Sequence, residues 1–304
     1  MPALPTPYHP SHHAPRTAGR FAETPAVRRL RHLFGLLQRT SPGAAALLTY
    51  ALLTRPPRVA ERHWQAQLRR QASNEWLTFG HGRLACSSWG QGPTVLLVHG
   101  WGARATHLGR LVLPLVAAGY RVVAFDGPGH GRSSGSFATL PDFAGAVAAV
   151  GAHAGDVHAL VAHSFGVPMA LWAQAGWGLR VRRQVLFSSL DDCKWVTEQF
   201  GRMVALRPDV IEQARQRAVK RSGGRLDWNR LSVGEWLRQS THPTLLIHDV
   251  HDPEIPVQHL YNVINHCLER PLDVHMTEGL GHHRLLGDHA VIRRVVDFIG
   301  LEAP

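Results

Sequence analysis

At 304 residues, with 44% apolar residues and a formal net charge of +11, the chain has room for one large α/β domain with an insertion, or for two small domains. Its three cysteines, Cys86, Cys193 and Cys267, are odd in number and far apart, which argues against a disulfide framework and for a reducing, cytoplasmic setting. The N-terminus lacks the charged start and apolar core of a secretory signal, and the longest apolar stretch, Gly43–Leu53, falls short of the ~20 residues that span a bilayer.

The charge is lopsided. Residues 1–70 carry eleven arginines against Glu23 and Glu61, a net +9, so the remainder of the chain is close to neutral. Lysine occurs only at Lys194 and Lys220, a bias that a G+C-rich coding sequence explains without selection for nucleic acid. No base-reading module is present, so no specific nucleic-acid partner is expected.

Residues 1–24 are rich in Pro, His and Thr without periodicity, and a disordered tail is expected there. From Pro25 onward, Val27, Leu30, Leu33, Phe34 and Leu37 recur at helical spacing with Arg28, Arg29, Arg31 and Arg39 between them. Ser41-Pro42-Gly43 is read as the break before a second helix, Ala44 to about Thr54, and a third, basic helix is expected from Arg58 to Arg70. Residues 25–72 therefore form a basic helical extension. Such an amphipathic arm usually packs on the body of its own protein, and a peripheral contact with an anionic membrane surface is the rival use.

The strands follow. Trp76–Phe79 and Arg83–Trp89, joined by Gly80-His81-Gly82, read as an antiparallel pair. Thr94–Val98 is a short apolar run suited to a buried parallel strand and ends in His99-Gly100-Trp101-Gly102. Arg121–Phe125 runs into Asp126-Gly-Pro-Gly-His-Gly-Arg-Ser-Ser134. The apolar run Val157–Ala162 enters Ala162-His163-Ser164-Phe165-Gly166, with a helix-compatible stretch, Val167–Trp172, behind it. A serine in a strand–sharp turn–helix, with small residues two places to either side, is lifted out of the sheet, and the next N–H sits at a helix N-terminus. Ala162 stands where the Gly-x-Ser-x-Gly pattern has its first glycine.

Gln184–Ser188 is a further strand, and residues 190–240 then hold a helical pattern with Trp195, Phe200, Met203, Val204, Trp228 and Trp236. Thr244–Ile247 ends in His248-Asp249-Val250-His251-Asp252-Pro253-Glu254-Ile255-Pro256, and Asp273–Thr277 leads to Glu278-Gly-Leu-Gly-His282-His283-Arg284. A last helix, His289–Ile299, carries Val291, Ile292, Val295, Val296 and Ile299 on one face. Alternating strands and helices from Thr94 to Ile299 favour one doubly wound, mostly parallel sheet.

Through four ordered motifs, HGWG, DGPGHGRSS, AHSFG and the HDVHDPEIP…GLGHH pair, residues 75–301 resemble the α/β-hydrolase superfamily, specifically its small serine esterase- and lipase-like members. The resemblance implies a mostly parallel central sheet with helices on both faces over residues 73–302, and a small helical cap at about 190–240 whose aromatics include one or two that line the substrate pocket. It implies Ser164 as nucleophile, Asp252 as acid and His282 as base, in the family's order. Asp249 and His283 are the second choices for acid and base. The backbone N–H groups of Trp101 and Phe165 are the expected oxyanion donors, while His99, His163, Asp126 and His130 are expected to shape loops.

The implied activity is cofactor-free hydrolysis of a small-molecule carboxylic ester through an acyl-enzyme. Thioesters and activated carbon–carbon bonds remain open within the same fold, as does a basic surface-binding protein on a hydrolase scaffold. Twenty-one histidines raise the question of a metal, but no His-Glu-x-x-His and no Cys/His run with ligand spacing occurs, so neither metal nor cofactor is expected.

Overall fold

The computed structural model describes residues 24–270 and 272–300. The expected disordered tail lies outside the described residues except for Thr24, whose hydroxyl accepts from Val27 N–H at 3.2 Å and caps the first helix. Twelve α-helices are described: α1 (Pro25–Thr40), α2 (Pro42–Leu53), α3 (His63–Arg70), α4 (Val112–Ala117), α5 (Leu140–Ala154), α6 (Gly166–Trp177), α7 (Lys194–Val204), α8 (Pro208–Arg221), α9 (Val233–Gln239), α10 (Gln258–His266), α11 (Gly281–Arg284) and α12 (His289–Gly300). The strands are β1 (Ser73–Phe79), β2 (Gly82–Trp89), β3 (Thr94–Val98), β4 (Arg121–Phe125), β5 (Val157–His163), β6 (Val181–Phe187), β7 (Thr244–Asp249) and β8 (Asp273–Thr277).

They form one sheet in the order β1-β2-β4-β3-β5-β6-β7-β8. β2 runs antiparallel to β1 and β4, and the pairings from β4 through β8 are parallel. From β3 the chain first steps to β4 on one side and then returns to β5 on the other. That reversal opens a crevice at the strands' C-terminal ends, where open α/β sheets bind ligands.

The strand sequences explain why the sheet is covered on both faces. In β3, Leu96 and Val98 enter one core cluster while Val95 and Leu97 enter the other, as a period of two requires. β4 and β5 split the same way. The first face is closed by α5, α6 and α10 through residues such as Phe143, Met169 and Leu260, the second by α4 and α12 through Leu115, Val295 and Phe298.

Several boundaries differ from the sequence reading: β1 begins at Ser73 and β6 at Val181, each three residues earlier than expected. The expected break falls at Ser41, but α2 begins at Pro42 and not at Ala44, because proline fits the first helical turn, where no N–H is needed. The third helix begins at His63 and not at Arg58. Residues 56–62 stay non-helical, and the Arg58 guanidinium instead donates to the carbonyls of Gly129, Ser133 and Gly135.

The two N-terminal helices pack on the 190–240 segment. Phe34, Ala45 and Ala46 share a buried cluster with Val204, Val210 and Ala214, and Phe34 meets Phe200 edge-on at 6.1 Å. Polar ties reinforce this: Arg31 Nε donates to Met203 O at 2.8 Å and Gln38 Nε2 to Ala205 O at 3.1 Å. Further along the segment, α9 packs against α6 and α10. No described helix is long and apolar enough to cross a membrane.

Candidate active site

Ser164 opens the two-residue turn, Ser164-Phe165, between β5 and α6, with φ of +56°. That left-handed conformation costs a non-glycine residue about 1–2 kcal/mol, and the surroundings hold it in place. Its N–H donates to Phe187 O at 2.9 Å, and its carbonyl accepts from Val167 N–H at 2.9 Å. The small neighbours are required by close approach. A Cβ at Gly166 would fall 2.6 Å from His99 O, and one at Gly100 would fall 3.1 Å from Ser164 Cβ. The β3 turn carrying Trp101 therefore abuts the serine turn directly, and the Trp101 and Phe165 rings meet edge-on at 5.1 Å.

His282 lies in α11, after β8. Its Nδ1 is 2.7 Å from Asp252 Oδ2, with side chains 3% and 0% exposed. Asp252 Oδ1 accepts the N–H groups of Glu254 and Ile255 at 2.8 and 2.9 Å. Burial opposes ionisation of this carboxyl, yet the hydrogen bond and charge of His282 and the two N–H groups outweigh it and hold the acid below the usual carboxylate range. Among the described residues no hydrogen bond joins Ser164 Oγ to the His282 ring. Such contacts are commonly long without substrate and tighten in the complex.

Asp249 is occupied elsewhere. Its carboxylate accepts from the Thr277 hydroxyl and Leu280 N–H, both at 2.8 Å, and from His251 N–H at 3.0 Å. It ties the end of β7 to the loop that presents His282. His283 points its Nε2 to Glu254 Oε1 at 2.9 Å, and that hydrogen bond raises its pKa.

The flanking histidines are neutral struts. Gly127 N–H donates to His99 Nε2 at 2.9 Å, so the proton is on Nδ1, which donates to Gly100 O at 2.7 Å. His163 Nε2 lies 3.0 Å from His282 O and braces the histidine loop from below. Burial pushes both pKa values well below the ordinary imidazole range. Asp126 accepts from Ala105 and Arg132 N–H, and His130 Nδ1 donates to Pro128 O, so both shape the loop after β4.

Two of the insertion's aromatics are engaged in packing. Trp236 stacks on Trp172 of α6 at 6.5 Å, and Trp195 meets His259 of α10 edge-on at 4.6 Å. The large aromatic next to the serine turn is Trp101. Sequence reasoning gave no role to Glu254, whose Oε2 lies 3.8 Å from His282 Nε2, or to His107, whose Nε2 is 3.4 Å from His283 Nδ1. Glu254 stood in plain view within the acid loop; His107 carried no sequence signal. A cleft of about 410 Å³ opens between Pro253–Glu254 and Gly279–Arg284, and Ser164 is not among its lining residues.

A sequence model of the alpha/beta hydrolase family matches residues 95–294. A non-heme haloperoxidase of Rhodococcus erythropolis is 41% identical over 83 residues, which cover 26% of this chain and 30% of that protein. A human serine hydrolase-like protein is 46% identical over 55 residues, 17% of this chain and 27% of the other. The chain thus spans less than a third of the length of either curated relative. Among solved structures, an esterase of Pyrococcus furiosus superposes with a TM-score of 0.61 at 20% identity, covering 83% of this chain and 98% of that one. A thioesterase domain from the curacin biosynthetic pathway gives 0.56 at 19% identity over 75% and 99% of the two chains. A membrane phospholipase A gives 0.58 at 22% identity over 88% and 97%. At these identities the likeness is one of fold.

Proposed function

Because this chain belongs to the alpha/beta hydrolase family, we propose that it is a serine hydrolase that cleaves a carboxylic ester through an acyl-enzyme formed on Ser164. The observation that carries this reading is the buried Asp252–His282 pair, 2.7 Å apart, with the His282 carbonyl 3.0 Å from Nε2 of His163, the residue directly before Ser164, which is held at φ +56°. In this mechanism His282 Nε2 takes the Ser164 Oγ proton as Oγ attacks the ester carbonyl. Asp252 keeps the other ring nitrogen protonated and stabilises the imidazolium. The N–H groups of Trp101 and Phe165 receive the developing oxyanion. His282 then returns the proton to the departing alcohol, and water, deprotonated by the same ring, releases the acid and restores Ser164.

The contact between the Gly100 turn and Ser164 supports the oxyanion assignment, since it brings the Trp101 backbone up to the serine. His283 has no step in this scheme, and Asp249 serves as a brace for the loop of His282.

A fluorophosphonate probe tests the reading. It should label Ser164 in the wild type and leave Ser164→Ala unlabelled. A panel of esters and thioesters of graded acyl length then sorts the bond type, and failure of the wild type to label overturns the proposal.

A further inference from the structure

The loops around His282 gather more imidazoles than a serine hydrolase needs. One ring nitrogen from each of His163, His282 and His283 lies within 4.8 Å of those of the other two. Each ring also has one nitrogen held by an oxygen: His282 Nδ1 by Asp252, His283 Nε2 by Glu254 and His163 Nε2 by the His282 carbonyl. That is how proteins orient metal-binding histidines, because an oxygen acceptor on one nitrogen fixes the tautomer and presents the lone pair of the other. His163 Nδ1 is buried without a hydrogen-bond partner, which is unusual for a polar atom that serves only packing. His107 Nε2, 3.4 Å from His283 Nδ1, and Glu254 Oε2, 3.8 Å from His282 Nε2, stand at the rim.

We propose that His163, His282 and His283 form a binding site for a borderline divalent cation of the Zn²⁺ class, and that filling it shuts off the hydrolase. Imidazole nitrogens suit Zn²⁺ and its neighbours far better than Mg²⁺ or Ca²⁺, which take oxygen ligands. Tetrahedral ligands at about 2.0–2.1 Å from zinc are about 3.4 Å apart. The nitrogens must therefore close from their present spacing, and half-exposed His283 is free to supply most of that movement. A cation held on the free nitrogen of His282 removes the lone pair that would accept the Ser164 proton. Binding is independent of the proposed function, whereas the shut-off rests on it. The ligands come from the end of β5 and from α11, 119 positions apart, which is why no spacing in the sequence announced them.

Calorimetric titration of the full chain with Zn²⁺ tests binding, with the His282→Gln/His283→Gln double variant as comparator because other histidines bind weakly. The expected result is one tight phase in the wild type that the folded double variant lacks; an identical titration of the two overturns the site. Fluorophosphonate labelling with increasing Zn²⁺ tests the shut-off, each protein being normalised to its own zinc-free rate. Zn²⁺ should slow wild-type labelling reversibly by EDTA, Mg²⁺ should not, and His283→Gln should need at least about tenfold more Zn²⁺. A tight phase with labelling unchanged overturns the shut-off and leaves the site. Should the wild type take no probe at all, the hydrolase reading and the shut-off both fail, and the titration still decides the site.

Discussion

Asp252 Oδ2 and His282 Nδ1 are 2.7 Å apart although thirty residues separate them, and the carboxylate side chain is wholly buried. Parallel pairing of β7 with β8 places both loops at the same edge of the sheet. The carboxylate has no water to solvate it, so His282 and two backbone N–H groups must do so. That dependence makes the pair sensitive to single changes.

Ser164→Ala is expected to lower ester turnover by about 10⁶ without loss of fold, read from steady-state kinetics beside circular dichroism. Ser164→Gly should be equally inactive yet at least as resistant to denaturant as Ser164→Ala, because glycine relieves the φ +56° turn. A glycine variant markedly less stable than the alanine variant would remove the strain argument.

The two aspartates at the end of β7 should separate cleanly. Asp252→Asn is expected to cut kcat by about 10⁴ by reversing the His282 tautomer, with a modest change in melting temperature. Asp249→Asn weakens acceptors for Thr277, Leu280 and His251 and should act mainly on stability. Equal kinetic losses in the two variants would contradict their assignment.

Stability should fall with mild acid. His99 and His163 are pushed well below the ordinary value of 6.5 by burial, and His107 and His130 to about 4. Between those folded values and 6.5 the unfolded chain binds more protons, so stability rises with pH across that window and is lost as pH drops through it. Asp252 and Asp249, depressed in the folded state, contribute above about pH 3.8 and lose that contribution at still lower pH. Denaturant midpoints from pH 7 to 4 should decline steadily, and His130→Gln should flatten the curve.

Phe34 has no exposure and joins α1 to Phe200 of α7. Phe34→Ala should cost about 3–5 kcal/mol in chemical denaturation. Because Leu30, Phe34 and Leu37 face this packing, the arm should show only weak, salt-sensitive sedimentation with anionic vesicles, through the exposed Leu33 and Leu36 and nearby arginines. Strong vesicle binding lost in Leu36→Asp would assign the arm to a membrane surface instead.

Substrate length should respond to Trp101 more than to the aromatics of the insertion. Trp101→Ala is expected to shift the preferred acyl length while Ser164 still labels. Trp236→Ala, which strips the stack on Trp172, should lower the melting temperature and leave the profile unchanged. A length profile that moves with Trp236 and not with Trp101 would return the specificity role to the insertion.

The strands of the sheet and the serine turn are legible in the residues alone. Short apolar runs such as Thr94–Val98 suit strands buried on both faces, and Ala162 and Gly166 around Ser164 announce a turn too tight for larger side chains. Those are local constraints, written within a few residues. What paired with what among the remaining residues took the tertiary fold: the arm against α7 and α8, Trp236 against Trp172, and three histidines from β5 and α11 around one point. Such contacts depend on crossovers of tens of residues and on which side-chain surfaces exclude water together, and neither is encoded in the spacing of neighbours along the chain.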